Sequence, residues 1–100
     1  MSPVAAGVPA SQAGLELTLF VAGDSPASHR ARARLAELLE SLELPLTPRV
    51  VDVLLAPQEA MQHRIFVTPA LIVRHEGRLD TIIGDLSHTA DVVSLLRPGH

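Results

Sequence analysis

The chain has 100 residues, of which 47% are hydrophobic, 2% are aromatic and none is cysteine. The absence of thiols excludes disulfides, thiolate metal sites and dithiol redox chemistry. A net charge of −3 gives no general attraction to nucleic acid or to anionic membranes. No stretch approaches the roughly 20 apolar residues of a membrane-spanning helix. We therefore expect one small cytoplasmic domain that binds neither nucleic acid nor membrane.

Residues 1–14 are small residues with Pro and Gly and show no periodicity. This composition predicts a flexible tail, and the segment lacks the basic start and apolar run of a signal peptide. Residues 15–100 are expected to form the folded domain.

The first folded element is a nearly continuous apolar run from Leu15 to Ala22, which predicts a strand covered on both faces. A turn, Gly23-Asp24-Ser25-Pro26, follows it. Ser25 is a good N-cap and Pro26 suits the first helical position, so we expect a helix that runs to about Leu42. Its apolar stripe is predicted to comprise Ala27, Ala31, Leu35, Leu38 and Leu42.

A second buried strand is predicted at Val50 to Leu55, followed by a shorter helix that begins at Pro57. The residues of this segment expected to face the core are Ala60, Met61 and Ile65. Asp52, inside the strand, is expected to lie at a strand edge or to be hydrogen-bonded rather than to shuttle protons.

The last third predicts a hairpin and a helix. Pro69 marks a strand start because proline cannot donate to a strand ladder, and the isomer of the Thr68-Pro69 bond stays open. His75-Glu76-Gly77 is expected to join the two strands of the hairpin. Asp85 or Ser87 is predicted to cap the final helix. That helix would place Thr89, Val92, Val93 and Leu96 on one face and end at Pro98-Gly99.

The order strand, helix, strand, helix, strand, strand, helix predicts a thioredoxin-like α/β fold. We expect a mixed four-stranded sheet with three helices, whose first half is a right-handed parallel βαβ unit.

The charges of the first helix run against its dipole. His29, Arg30, Arg32 and Arg34 lie near the positive end, and the acidic residues Glu37, Glu40 and Glu43 lie towards the negative end. A sequence selected for helix stability alone would reverse this order. Either the arginines contact a partner, or they are solvated and Arg34 pairs with Glu37.

Four segments resemble the KaiB family of circadian clock proteins and the related sensor domain of the clock histidine kinase SasA. They are LTLFVAGDSPAS followed by Arg30-Ala31; VVDVLLAPQ; Ile65 with Thr68-Pro69 and Leu71; and IIGDLS at residues 82–87. The resemblance implies a non-enzymatic protein, without a cofactor, that binds the ring-shaped ATPase KaiC. It also implies an alternative, fold-switched state in which the C-terminal half is rearranged.

On this basis two sets of residues are expected to carry function. The partner-binding set comprises Ala22, Gly23, Asp24, Pro26, Arg30 and Arg34. The conformational set comprises Thr68, Pro69, Gly84 and Asp85, and the resemblance implies that the Gly84-Asp85 junction influences the switch.

The chain departs from the family pattern at two places. Arg74-His75-Glu76-Gly77-Arg78 stands where clock members often carry a run of prolines, so we expect a plain β-hairpin over residues 70–84 and a thioredoxin-like resting state. Met61-Gln62-His63 replaces an acidic patch, which leaves a KaiC-like ATPase outside a full clock as an equal alternative.

Two other functions stay open from the sequence. One is a degenerate, transferase-like thioredoxin-fold enzyme that binds a thiol substrate near Pro69, and the other is a stand-alone sensory domain that homodimerises. A homo-oligomer, either a dimer or a tetramer, also stays open. The sequence contains no GxSxG, HxxxH, HExxH or GxxxxGK motif, so serine catalysis, a zinc site and a phosphate loop are not expected.

Overall fold

The computed structural model describes residues 14–87 and 89–96. These residues form β1 (Leu15–Val21), α1 (Pro26–Ser41), β2 (Arg49–Asp52), α2 (Pro57–Gln62), β3 (Ala70–His75), β4 (Arg78–Ile83) and α3 (Thr89–Leu96). The predicted order is therefore confirmed. Residues 1–13 of the expected tail, and the predicted helix stop at Pro98-Gly99, lie outside the described residues.

The strands form a mixed sheet in the order β2-β1-β3-β4. β1 pairs in parallel with β2 and antiparallel with β3, and β3 pairs antiparallel with β4. Phe20 lies opposite Val51 on one side and Ala70 on the other. The apolar run of β1 thus occupies an inner position, where Leu19, Phe20 and Val21 are almost completely buried.

Alternation along the strands divides the core into two layers. Under α1 and α3, a larger cluster contains Leu17, Leu19, Leu71 and Val73. On the opposite face, under α2, Phe20 is the largest side chain of a smaller cluster. That second cluster comprises Phe20, Val51, Ala60, Ile65, Ala70 and Ile72.

Two core predictions need correction. The buried stripe of α1 includes Leu39, whereas Ala27, Leu38 and Leu42 are only half-buried. Met61 is 70% exposed, so its predicted place in the core is wrong. With only six residues, α2 has room for one buried position, which Ala60 occupies.

β2 ends at Asp52, so the predicted strand end at Leu55 is wrong. The Asp52 carboxylate accepts the backbone N–H of Leu54 at 2.9 Å, and its carbonyl accepts the N–H of Leu55 and of Ala56. These bonds turn the chain out of the sheet, so Leu54 and Leu55 lie in a loop.

The predicted hairpin over residues 70–84 is confirmed, with β3 and β4 in continuous antiparallel register. Its loop is only Glu76-Gly77, with φ values of 51° and 87°. Two successive positive φ angles are those of a type I′ turn, which matches the twist of the strands. The Thr68-Pro69 bond that precedes β3 is cis. Within residues 14–87 and 89–96, no helix has the length and apolar character needed to cross a membrane.

Candidate functional site

Most of the predicted functional residues come together at one edge of the sheet. The carboxyl ends of β1, β2 and β4 and the amino end of β3 meet there, because β3 is antiparallel to its two neighbours. We call this surface the docking edge and define it as residues 22–25, 53–56, 66–69 and 84–87, together with the α1 residues that contact them, Ser28, Arg30 and Arg34. Open α/β sheets place their binding sites at such an edge, where strand ends meet helix N-termini.

The turn between β1 and α1 is held by two serine hydroxyls. Ser25 Oγ accepts the N–H of Ser28 at 3.2 Å, which confirms Ser25 as the N-cap of α1. The same hydroxyl donates to Ser28 Oγ at 2.8 Å, and Ser28 Oγ accepts the N–H of Ala22 at 3.1 Å. This relay of hydrogen bonds joins the end of β1 to the first turn of α1, although Ser28 itself is 1% exposed.

Asp52 fixes the next loop of the docking edge. Its Oδ1 accepts the N–H of Gly23 at 3.1 Å as well as the N–H of Leu54, so the expectation of a hydrogen-bonded carboxylate is confirmed. Gly23 has a φ of 55°, and a Cβ at this position would lie 3.2 Å from Leu54 Cδ1. A glycine therefore allows the β1–α1 turn and the β2–α2 loop to approach closely.

The arginines of α1 contact the start of the β4–α3 connection. Arg30 Nε donates to Asp85 Oδ2 at 2.9 Å. Arg34 Nη1 lies 3.1 Å from the same carboxylate oxygen and 3.1 Å from the Asp85 carbonyl oxygen. Arg34 thus binds Asp85 instead of the Glu37 suggested by its spacing. The Arg30 guanidinium, the Ser87 hydrogen bond and Arg34 together hold the pKa of the Asp85 carboxyl well below its usual range.

The charge pattern of α1 leaves cations at the docking edge. The first turn of α1 has no acidic residue and its last turn has no basic one. Although Arg30 is bridged to Asp85, half of its side chain is exposed, and about a third of the Arg34 side chain is exposed. Asp24 is almost fully exposed, with its carboxylate 3.8 Å from His29 Nε2. Both signs of charge are therefore accessible to a partner.

Exposed apolar side chains lie in two loops of the docking edge. Leu54 and Leu55 follow β2, and Phe66 and Val67 lie in the segment that leads into β3. All four are more than half exposed, and Leu55 and Phe66 reach 83% each. Single exposed apolar residues are ordinary, but a group of large ones at the end of a sheet is typical of a protein-binding surface.

The four residues of the predicted conformational set lie in two neighbouring segments. The N–H of Gly84 donates to the carbonyl of Pro69 at 2.8 Å, so the residue after β4 is paired with the residue before β3. Gly84 has a φ of 114°, which favours glycine. Asp85 Oδ1 accepts the N–H of Ser87 at 3.2 Å and so shapes the chain just ahead of α3.

Other residues of this edge were not predicted. Ser28 looked like an ordinary residue of a helix, and only its spacing of three from Ser25 hinted at the relay. Leu54, Leu55 and Phe66 are exposed, although their apolar side chains alone would predict burial. Within residues 14–87 and 89–96, no group of three His, Cys, Asp or Glu side chains is placed to hold a metal ion.

The fold and the site together define a thioredoxin-like domain whose first helix begins at serines rather than at cysteines. The fold is shared with thioredoxins, among them Drosophila Deadhead, which superposes with a TM-score of 0.71 over 88% of this chain and 86% of that one, at 13% identity. Residues 18–98 match the KaiB domain. The chain belongs to the KaiB family.

Individual relatives agree with this assignment. The circadian clock protein KaiB3 of Synechocystis sp. is 37% identical over 78 residues, which cover 77% of this chain and 76% of the relative. A circadian clock oscillator protein KaiB of Prochlorococcus marinus is 41% identical over 78 residues, or 77% and 73% of the two chains. The solution structure of the N-terminal domain of Synechococcus elongatus SasA has a TM-score of 0.67 at 27% identity, covering 100% of this chain and 96% of that one.

Proposed function

We propose that this chain is a non-enzymatic module that docks on a KaiC-like ATPase ring through the end of β1, α1 and the end of β2. Membership of the KaiB family, whose relatives are named as circadian clock proteins, supports a role in clock or related regulation. The observation that carries the proposal is the docking edge itself, which has exposed apolar and charged side chains and, because the chain contains no cysteine, no thiol.

The composition of the docking edge suits a macromolecular partner. Leu54 and Leu55 offer apolar area beside the Gly23 turn, and Arg30 offers a guanidinium at the adjacent helix. Arginine is enriched among the few residues that dominate measured binding energies, with losses of about 2 kcal/mol or more on truncation, and the leucines add apolar area around it. A surrounding rim that includes Asp24 would add specificity more than affinity.

Arg30 links α1 to the β4–α3 connection through its hydrogen bond to Asp85. A carboxylate or phosphate on the partner would compete with Asp85 for this guanidinium, because the pair is exposed on one side. Docking would then loosen the hold of α1 on Asp85 while Arg34 keeps its own contacts. This is how we expect the partner-binding residues to act on the proposed conformational residues.

The decisive experiment measures binding of the purified chain to the KaiC-like ATPase of the same organism by light scattering after size exclusion, with ATP and with ADP. We expect Arg30→Ala to weaken binding about tenfold or more while the melting temperature changes little. Arg78→Ala is the matched control, since Arg78 pairs with Asp80 at the far end of the hairpin. Leu55→Ser should also weaken binding, because Leu55 is exposed in the free chain and its loss leaves the core intact.

A further variant separates contact with the partner from the internal bridge. Asp85→Asn removes the carboxylate that holds Arg30, so binding should be kept or strengthened if Arg30 contacts the partner directly. If Asp85→Asn and Arg30→Ala weaken binding equally, Arg30 acts only through the bridge. No binding in either nucleotide state, or turnover of glutathione or another thiol substrate by the purified chain, would overturn the proposal.

A further inference from the structure

β4 is an outer strand of the sheet. The hydrogen bonds to β3 determine which of its residues direct their backbone N–H and C=O groups towards β3 and which direct them outward. Gly84 donates to the carbonyl of Pro69, directly opposite it, so this is a hydrogen-bonded pair of the β3–β4 ladder. Such pairs recur every second residue in an antiparallel ladder. Arg78, Asp80 and Ile82 therefore direct their backbone groups at β3. The residues between them, Leu79, Thr81 and Ile83, direct their N–H and C=O groups away from the sheet.

The side chains of the same three residues lie on the face of the sheet that carries α2, in the part of that face that α2 does not cover. They lie opposite Arg74, Ile72 and Ala70, and the last two belong to the cluster under α2. The short α2 packs over Phe20 and Val51 and does not cover β4. Leu79 is 54% exposed and Ile83 is 55% exposed, and Thr81 is exposed between them.

The two outer strands of the sheet differ in how they are protected against pairing. β2 has four residues, begins at Arg49 and ends at Asp52, and Arg49 is held in a two-pronged pair by Glu59 of α2. Short, charged outer strands are the usual protection against association. β4 has six residues without proline, and its uncovered face is Leu, Thr and Ile. Among residues 14–87 and 89–96, no strand pairs with the outer side of β4, so this edge is suited to accept another strand.

We propose that β4 pairs antiparallel with β4 of a second copy of this chain, about a two-fold axis at Thr81. Thr81 then faces Thr81 of the second copy, and Leu79 faces Ile83. This register uses every outward backbone group, since all the facing residues are of the outward set. It also places the apolar side chains of both copies side by side on one face. Leucine and isoleucine on opposing strands are a favourable cross-strand pair.

Neighbouring registers are less favourable. A shift that moves the axis to Asp80 places two aspartates directly opposite each other, and like charges in that arrangement are destabilising. A shift to Ile82 leaves Leu79 facing Asp85, beyond the end of the strand. A two-fold axis between two residues would place a residue whose N–H and C=O point outward opposite one whose N–H and C=O point towards β3. The two strands could then form no ladder of hydrogen bonds. A second copy is therefore the occupant that this strand fits, and the docking edge stays free in the pair.

The test places charges of either sign at Thr81, the residue on the symmetry axis. It measures self-association and so does not depend on binding to any ATPase. The wild type should show a concentration-dependent monomer–dimer equilibrium by sedimentation velocity. Thr81→Lys and Thr81→Glu should each raise the dimer dissociation constant about tenfold or more, because two like charges would face each other. An equimolar mixture of the two variants should recover the dimer. Thr47→Lys, an exposed loop substitution with the same charge, should leave the equilibrium unchanged.

Amide hydrogen exchange supplies a second readout that a change in stability cannot imitate. In the monomer the outward N–H groups of Leu79, Thr81 and Ile83 have no partner among the described residues, while those of Asp80 and Ile82 are directed at β3. Raising the protein concentration should slow exchange at Leu79, Thr81 and Ile83 and leave the other amides of the strand unchanged. A chain that is monomeric at millimolar concentration overturns the proposal. So does a dimer that the Thr81 variants leave intact, or protection that appears elsewhere.

Discussion

Ser28→Ala is the substitution that most directly tests how the β1–α1 turn is held. Ser28 is 1% exposed, and its hydroxyl accepts hydrogen bonds from the N–H of Ala22 and from Ser25 Oγ. Alanine removes this acceptor, so the N–H of the half-buried Ala22 loses its partner in the protein. Leaving a fully buried donor unsatisfied costs about 1–3 kcal/mol, and the partial exposure of Ala22 keeps the cost below the upper end of this range. The better helix propensity of alanine returns about 0.5 kcal/mol.

We therefore expect Ser28→Ala to lower the free energy of unfolding by about 1–2 kcal/mol, or the melting temperature by roughly 4–15 °C for a domain of this size. Chemical denaturation followed by circular dichroism measures it, with Ser41→Ala at the exposed end of α1 as the control. Ser25→Ala should cost about 1 kcal/mol as a lost N-cap. Since Ser25 and Ser28 share a bond, the double variant should cost less than the sum of the two. A Ser28→Ala variant as stable as the wild type would refute this account of the relay.

The remaining predictions concern an ion pair and the core. The Asp85 carboxylate has a pKa below its ordinary value of 3.8, so its contribution to stability is present above about pH 4 and is lost as the pH falls further. The stability difference between wild type and Asp85→Asn, measured by denaturation from pH 6 to pH 2, should therefore shrink below about pH 4; a difference that grows in acid would contradict the bridge. Leu35→Ala should cost about 2–5 kcal/mol by creating a cavity under α1. Met61→Ala should change stability by less than about 0.5 kcal/mol because Met61 is exposed; equal losses for the two would contradict the core assignment.

Most of the fold was predictable from patterns of neighbouring residues in the sequence. A continuous apolar run predicted β1, and the Ser25-Pro26 pair placed the start of α1 correctly, because capping depends only on neighbouring residues. The two-residue turn at Glu76-Gly77 likewise follows from local chemistry. The same local reasoning misplaced Met61, since apolar character does not reveal that a helix of six residues buries a single position.

The candidate site was predictable in position but not in its contacts. Topology alone brings the turn after β1 and the connection after β4 to the same end of the sheet. The bridge from Arg30 to Asp85 spans 55 positions in the chain, and no periodicity encodes a contact of that range. Helical spacing favoured Glu37 as the partner of Arg34, a solvated pair with little energy, and the structure places Asp85 within reach instead. The partner-binding and conformational roles of these residues stay predictions.

Ser25 and Ser28 explain how a thioredoxin-like turn can keep its shape without redox chemistry. Their spacing is that of a Cys-X-X-Cys pair at the start of a helix, and their hydroxyls are 2.8 Å apart. Hydroxyls bind the amides of the turn more strongly than thiols do, and they do not form a disulfide. Neither serine is hydrogen-bonded to a base among the described residues, since the His29 ring lies towards the exposed Asp24. The groups that this edge offers to a partner are the exposed leucines and phenylalanine and the arginines of α1. The proposed docking depends on these groups.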